Sequence, residues 1–230
     1  MIETSSANAE GSKRATDRVF EWVLSRILTG EFVGGEPLRI RHLAAEVGTS
    51  VMPVREALHR LQEVGLATSA PHRGAVVKTF TGAELLHAYE VRVLLERQAA
   101  YSGTQNIDAE AIAEMRAAYS RMKLAVSAGN IAEALDEDEH IHRTAYRASG
   151  NEVLTDTIDA LWLRCRPYKY VGATRDHERG VSRVWETQLG FIEAVTEGNA
   201  HTAAGIITDS LEQAQSRIAE SFDVEHAARS

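Results

Sequence analysis

The segment from residue 50 to residue 62 carries polar side chains whose spacing suits contact with a nucleic acid. Arg55, His59 and Gln62 are four and then three residues apart, so a helix places them on one face. An arginine there can donate two hydrogen bonds to the edge of a guanine or to a phosphate. The opposite face is apolar and would hold the helix against a core. The pattern indicates a helix whose free face could lie in a major groove.

A second group of polar residues falls on an apolar stripe farther along the chain. Ile131, Leu135, Asp138, His142 and Ala145 follow helical spacing, which places the carboxylate and the imidazole one turn apart on an inward face. Such a pair could contribute two ligands to a metal ion. The alternative is an ion pair that is satisfied inside the protein.

Three further helices bring polar side chains toward the same interior, which favours a polar cavity in a helical bundle. Arg92 and Gln188 fall on apolar stripes, and Ser210 and Arg217 lie along the edge of one. The two arginines could hold the carboxylate of a small organic ligand. Alternatively, Arg92 pairs with an acid of the protein such as Glu96, and the sequence leaves both interpretations open.

Residues 13–80 contain the elements that must position the first group. Three amphipathic helices are followed by two short strands around the turn at residues 72–74. Gly48 ends the second helix, Ser50 is a suitable N-cap, and Pro53 suits the first turn of the third helix. The residues expected on the DNA side are Arg41, Ser50, Val51, Met52, Arg55, His59, His72, Arg73 and Gly74.

From Thr81 onward the pattern is helical throughout. Six stripes lie near residues 81–102, 108–128, 130–149, 151–170, 177–197 and 199–224, with breaks at Gly103, Gly129, Gly150, Gly172 and Gly198. We therefore expect a mainly α protein. Its parts are a disordered tail (1–12), an N-terminal winged helix-turn-helix domain (13–80), a C-terminal antiparallel helical bundle (81–224) and a second tail (225–230).

The charge of the chain is unevenly distributed. The net charge of the 230 residues is −8, whereas residues 13–80 hold ten Lys and Arg against seven Asp and Glu. This asymmetry fits a chain that touches DNA through one part only. The single cysteine, Cys165, excludes an internal disulfide and fits a reducing compartment. Because no apolar run is long enough for a membrane span, we expect a cytoplasmic protein with no membrane partner.

The first 80 residues resemble the GntR superfamily of bacterial transcription regulators, whose most specific motif reads PVREAL at residues 53–58. The resemblance is carried by Leu38, Leu43, Ala44, Gly48, Ser50, Pro53, Val54, Arg55, Glu56, Ala57, Leu58, Leu61, Gly65 and Leu66. It implies that Arg41, Ser50, Arg55 and the wing turn contact DNA. Where the family often has Arg-Thr, this chain has Val51 and Met52, and their contact with thymine methyl groups could replace a base-reading arginine.

Nearly all of residues 81–224 resemble the ligand-binding domain of the FadR-type branch of that superfamily, called FCD. The markers are Tyr89, Glu90, Val91, Arg92, Leu95, Glu96, Asp138, His142, Ala148, Ser149, Gly150 and Asn151. Many members bind a divalent metal through the Asp-x-x-x-His pair and two further histidines, whose positions here hold Gln188 and Ser210. Asp138 and His142 are an incomplete set of metal ligands, so we expect no tightly bound metal and no other cofactor.

Together these patterns predict a ligand-responsive DNA-binding transcriptional regulator that is not an enzyme, repression being the commoner outcome in the family. A homodimer on a palindromic operator is expected because one recognition helix covers one half-site. The expected effector is a small organic acid or a related metabolite, bound among Arg92, Asp138, His142, Gln188, Ser210 and Arg217. The alternatives are a metal-dependent helical-bundle enzyme and a dimeric DNA-binding protein that senses nothing.

Overall fold

Helices form wherever apolar residues recur at helical spacing, and one hairpin separates the third helix from the rest. The computed structural model describes residues 3–71, 73–181 and 185–227, and side chains between residues 13 and 222 of those ranges. The elements are α1 (Glu3–Leu28), α2 (Ile40–Val47), α3 (Val51–Glu63), β1 (Ala67–Ala70), β2 (Gly74–Val77), α4 (Gly82–Thr104), α5 (Ala109–Ser127), α6 (Ile131–Arg147), α7 (Glu152–Glu178), α8 (Gln188–Thr196) and α9 (Ala200–Ala227). They form two units, Met1–Phe80 and Thr81–Ser230.

The first unit packs α1, α2 and α3 around one apolar core and adds the hairpin. The core residues are Val19, Val23, Ile27, Leu43, Val54, Leu58 and Leu61. Between α2 and α3 the chain turns at Gly48, whose φ of 67° requires a residue without a side chain. The strands pair antiparallel, with Ala67 opposite Val77 and Ala70 opposite Gly74. The predicted helix–turn–helix with a hairpin wing is confirmed.

Helix α1 begins at Glu3, so the prediction of a disordered tail over residues 1–12 is corrected from that residue onward. The prediction followed the apolar pattern, which starts only near Val19. The preceding residues include Ala, Glu, Lys and Arg and lack proline, a composition that allows a helix to begin before the apolar pattern does. At the other end, α9 reaches Ala227 and enters the predicted tail 225–230.

The second unit consists of helices α4 to α9. Helix α4 contacts α6, α7 and α9, and α5 packs against α6. Its core includes Met115, Leu135, Ile141, Ile158, Phe191 and Ile207. None of the helices in the described part of the chain is long and apolar enough to cross a membrane.

Two helix boundaries in this unit differ from the prediction. Helix α7 runs for 27 residues through Pro167 and Gly172, where a break was expected. Buried residues on both sides, Cys165 and Ala173, hold this helix against the core. Helix α8 covers only Gln188–Thr196 of the predicted helix 177–197, because the chain turns at Gly180 with a φ of 67°. Residues 182–184, which include the predicted stripe residue Val184, lie outside the described residues.

Candidate nucleic-acid interface and buried polar cluster

The N-terminus of α3 has no side-chain cap. Ser50 precedes the helix in an extended conformation (φ −82°, ψ 170°), and its side chain forms no capping hydrogen bond. Its exposed hydroxyl and the first backbone N–H groups of the helix are therefore available to an anion such as a phosphate. Pro53 is buried in the first turn, where its missing N–H costs nothing.

The outer face of α3 presents the predicted basic side chains. Arg55 is exposed and forms no hydrogen bond or ion pair with any described residue. His59 is exposed, with Nδ1 3.4 Å from the carboxylate of Glu63. Gln62 differs from its neighbours on this face, because its Nε2 donates to Ser69 Oγ in β1 at 3.2 Å. The free part of the face is therefore its N-terminal half.

Two apolar side chains occupy the first turn of α3. Val51 is 37% exposed and Met52 is 59% exposed. The next apolar residues, Val54 and Leu58, are buried in the core. Because neither side chain is buried in the core, Val51 and Met52 are available to the same partner as Arg55.

A pair of polar contacts that the sequence did not predict fixes the rotation of α3. The buried hydroxyl of Thr16 in α1 donates to Glu56 Oε2 at 2.7 Å, and Arg60 Nη1 donates to Asp17 Oδ1 at 2.6 Å. Glu56 and Arg60 are one turn apart on α3, and they meet two consecutive residues of α1. These contacts hold one flank of α3 against α1, and Arg55 and His59 are exposed beside that flank.

The remaining predicted DNA contacts are exposed on neighbouring elements. Arg41 is exposed on α2, and Arg73 and Gly74 are exposed at the hairpin turn. Gly74 has a φ of 73°, a conformation that glycine adopts without strain. His72 lies outside the described residues.

The second unit contains a buried cluster around Asp138, which is 1% exposed. Its Oδ2 accepts a hydrogen bond from Lys169 Nζ at 2.5 Å, and its Oδ1 accepts one from Gln188 Nε2 at 2.6 Å. His142 Nδ1 lies 2.7 Å from the backbone carbonyl oxygen of Asp138. Because a carbonyl only accepts, this nitrogen carries the proton. The imidazole stacks on Phe191, with ring centroids 5.2 Å apart.

Opposite charges set the protonation of this cluster. Burial alone would raise the pKa of Asp138, but Lys169 and then His142 outweigh it and lower the pKa below its usual value. Burial alone would lower the pKa of Lys169, but Asp138 and then Glu139 raise it above its usual value. The pair is therefore a carboxylate and an ammonium ion at neutral pH.

Arg92 is also buried and has a partner inside the protein. Its Nε donates to Glu96 Oε1 at 2.7 Å, and the two side chains are 8% and 4% exposed. The same carboxylate accepts hydrogen bonds from Trp162 Nε1 at 2.9 Å and from Tyr146 Oη at 3.2 Å. Burial lowers the pKa of Arg92, but Glu96 outweighs this effect and raises the pKa well above its usual value. The sequence left open whether Arg92 holds a ligand or pairs with an acid of the protein, and the structure contains the ion pair with Glu96.

Ser210 and Arg217 are not joined to this cluster. Both are half-buried on α9, and neither forms a hydrogen bond or ion pair with a described residue. Arg92, Asp138 and Gln188 are buried as their stripes predict, and His142 is partly buried. The structure therefore joins Asp138, His142 and Gln188 by direct contacts, and Ser210 and Arg217 take no part in these hydrogen bonds.

The cluster does not fit a metal ion. Both oxygens of Asp138 have a donor of the protein within hydrogen-bond distance, and one of these donors is a cation. Among residues 3–71, 73–181 and 185–227, no group of three or more His, Cys, Asp or Glu side chains could hold a metal. Two protein ligands are fewer than zinc sites use.

Lys169 is the member of the cluster that sequence reasoning missed. It follows Trp162 and Cys165 by seven and four residues, so the inward stripe of α7 includes it. The predicted helix 151–170 contains Lys169, but in its last turn, where a lysine is usually exposed near the helix end.

Comparison with known proteins identifies both units. Residues 15–77 match the family model "Bacterial regulatory proteins, gntR family", and residues 87–213 match the FCD domain. The chain is 31% identical over 157 residues to the "Probable D-xylose utilization operon transcriptional repressor" of Paenarthrobacter nicotinovorans, covering 66% of this chain and 69% of that relative. It is 27% identical over 186 residues to the "HTH-type transcriptional regulator McbR" of Escherichia coli (strain K12), covering 79% of this chain and 84% of that relative.

The fold is also that of a solved regulator. The structure of E. coli McbR/YncC superposes with a TM-score of 0.76 at 21% identity, over 90% of this chain and 98% of that one. Family matches in both units and a shared fold agree with the motif in α3. The chain therefore belongs to the gntR family of bacterial regulatory proteins and carries the FCD domain in its C-terminal half.

Proposed function

We propose that this regulator represses transcription as a homodimer by placing α3 of each protomer in the major groove of a palindromic operator. The observation that carries the proposal is the exposed guanidinium of Arg55, which pairs with no described residue, on a helix whose other face is buried. Arg41, Ser50, His59, His72, Arg73 and Gly74 would supply further contacts to bases and phosphates. Repression is the role named for the relative from P. nicotinovorans.

The operator contact of Arg55 can be measured directly. Arg55→Ala is expected to weaken operator binding by about 1–3 kcal/mol, because the lost side chain can donate two hydrogen bonds to one base. The probe is a labelled duplex that the wild-type protein selects from a random pool, titrated at constant salt by fluorescence anisotropy.

The matched control is Arg97→Ala, which removes an equally exposed arginine from the second unit. Its affinity for the same duplex should stay within about twofold of the wild type, because Arg97 lies outside the unit that is proposed to bind DNA and exposed charges that make no direct contact are screened at physiological salt. An affinity of Arg55→Ala equal to that of Arg97→Ala would contradict the proposed role of Arg55.

We further propose that Val51 and Met52 read thymine. Both side chains are exposed at the start of the recognition helix, where they can pack against the C5-methyl group that thymine presents in the major groove. Neither can donate to a guanine, so a binding site rich in thymine at this position is expected.

Uracil tests this contact because it differs from thymine only by the methyl group. Replacing the contacted thymines of the selected duplex with uracil should weaken binding by about 0.8 kcal/mol per methyl, or roughly fourfold. For Met52→Ala the same replacement should matter less, because the contact is already lost. If both proteins lose affinity equally, the methyl groups are read by another residue.

The C-terminal unit is proposed to bind the effector, as an FCD domain. The structure favours a ligand other than one held by Arg92, because Glu96 already neutralises that arginine. A thermal-shift panel of sugars, sugar acids and other small organic acids is the first screen, since a relative is named for D-xylose utilization. Stabilisation by one compound that also weakens DNA binding supports a sensor. Stabilisation by none supports the alternative of a dimer that senses nothing.

The homodimer and the enzyme alternative have separate tests. Light scattering should give twice the mass of the 25.2 kDa chain.

The matched relatives are regulators, and in the buried cluster the carboxylates are paired with cations of the protein. We therefore propose a regulator that acts in the cytoplasm and catalyses no reaction. Turnover of a compound that binds the second unit would contradict that assignment.

A further inference from the structure

The carboxylate of Asp138 needs a cation, and the protein supplies one. A buried carboxylate is strongly disfavoured unless a positive charge and hydrogen-bond donors surround it. The Asp138 side chain is 2% exposed, and Lys169 Nζ lies 2.5 Å from its Oδ2. Gln188 Nε2 donates to the other oxygen at 2.6 Å. The charge and the hydrogen-bonding needs of the carboxylate are therefore met from α7 and α8.

The same contacts leave little room for a metal ion. A metal ion on Asp138 would have to displace Lys169 or Gln188. Repulsion between the metal ion and the ammonium group of Lys169 would oppose the displacement of Lys169. His142 is held by its Nδ1 contact to the Asp138 carbonyl and by stacking on Phe191. Only its Nε2 remains as a ligand, and Gln188 presents its amide nitrogen rather than a ligand oxygen to the carboxylate.

We infer that Lys169 is the resident cation of this FCD domain, its ammonium group standing where a divalent metal ion stands in metal-binding FCD domains. The domain accordingly neither requires nor accepts a metal at Asp138. This inference concerns the second unit alone and stands whether or not α3 reads an operator as proposed.

Restoring the two histidines tests whether Lys169 is what keeps the metal out. The double variant Gln188→His/Ser210→His completes the ligand set but retains Lys169, and the triple variant adds Lys169→Met, which has a similar length and no charge. Each protein is titrated with zinc alone by calorimetry, and its metal content is measured after dialysis. We expect well under one equivalent in the wild type and the double variant. We expect about one equivalent in the triple variant, bound at least tenfold more tightly.

Three outcomes would overturn the inference. The first is stoichiometric zinc in the purified wild type, and the second is equal affinity for zinc in the double and triple variants. The third is a triple variant that is folded by circular dichroism and yet binds no zinc.

A stability measurement keeps the test decisive if the triple variant does not fold. Lys169→Met should lower the melting temperature by several degrees, because it leaves a buried carboxylate without its cation. Lys169→Met/Asp138→Asn, which removes both charges, should recover most of that loss. If Lys169→Met melts at the wild-type temperature, Lys169 is not the cation that Asp138 needs.

Discussion

Glu96→Ala is expected to lower the free energy of unfolding by about 3–5 kcal/mol, because it leaves the guanidinium of Arg92 buried without a counter-charge. It also removes the acceptor of two further buried donors, Trp162 Nε1 and Tyr146 Oη. Helices α4, α6 and α7 meet at this carboxylate, so the loss should destabilise the second unit as a whole. Urea unfolding followed by circular dichroism gives the free energy, and the melting temperature should fall by roughly 10 °C.

Two further variants separate loss of the ion pair from loss of side-chain volume. Glu90→Ala removes an exposed glutamate from the same helix and should change the free energy of unfolding by less than about 0.5 kcal/mol. Arg92→Met/Glu96→Leu removes both charges and should recover part of the loss, because an apolar pair can replace a buried ion pair. Equal stabilities of Glu96→Ala and Glu90→Ala would show that Arg92 does not depend on Glu96.

The pairing of Arg92 also shows where sequence reasoning reached its limit. Arg92 falls on an inward stripe, and the structure buries it as that stripe predicts. Glu96 is one turn away, so the spacing allows an ion pair, but it equally allows a free arginine that holds a ligand. Only the position of Trp162 and Tyr146, which come from two other helices, shows that Glu96 is buried as well and directed at Arg92.

Local signals were enough to predict the first unit. Gly48, Ser50 and Pro53 are residue types that by themselves favour a helix end, an N-cap and a first helical turn. The structure has each of them in that place, with a φ of 67° at Gly48, an extended Ser50 and a buried Pro53. The mainly α fold class and the family are confirmed for the same reason, since both follow from helix punctuation and one short motif. The contacts of Thr16 with Glu56 and of Asp17 with Arg60 were not predictable, because they join helices about 40 residues apart.

The helix breaks predicted at glycines show where local signals succeed and where they fail. The sequence predicts helix breaks at every one of five glycines in the second unit, and Gly129, Gly150 and Gly198 do follow helix ends with φ near 70°. Gly103 and Gly172 instead lie inside α4 and α7. At Gly103 the backbone of α6 comes so close that only glycine fits, whereas at Gly172 a β-carbon would meet nothing within 4 Å and the helix simply continues.

A second large loss of stability is expected from Gly103→Ala. A β-carbon at this position would lie 1.9 Å from the carbonyl oxygen of Ala145 and 2.9 Å from its carbon. The obstacle is the backbone of α6, which cannot rotate away as a side chain can, so α4 and α6 would have to separate by about 1.5 Å. That separation would also weaken the Tyr146–Glu96 hydrogen bond, which joins the same two helices. The free energy of unfolding should fall by about 3 kcal/mol or more, measured by urea denaturation.

Gly172→Ala is the matched control and should change stability in the opposite direction. Gly172 is exposed inside α7, and a β-carbon there would meet nothing within 4 Å. Alanine restricts the unfolded chain more than glycine does, so this variant should be more stable than the wild type by about 0.5–1 kcal/mol. Opposite signs for one chemical change at two helical glycines would show that the close approach of α4 to α6 requires Gly103. A Gly103→Ala protein as stable as Gly172→Ala would mean that the two helices do not meet at this glycine.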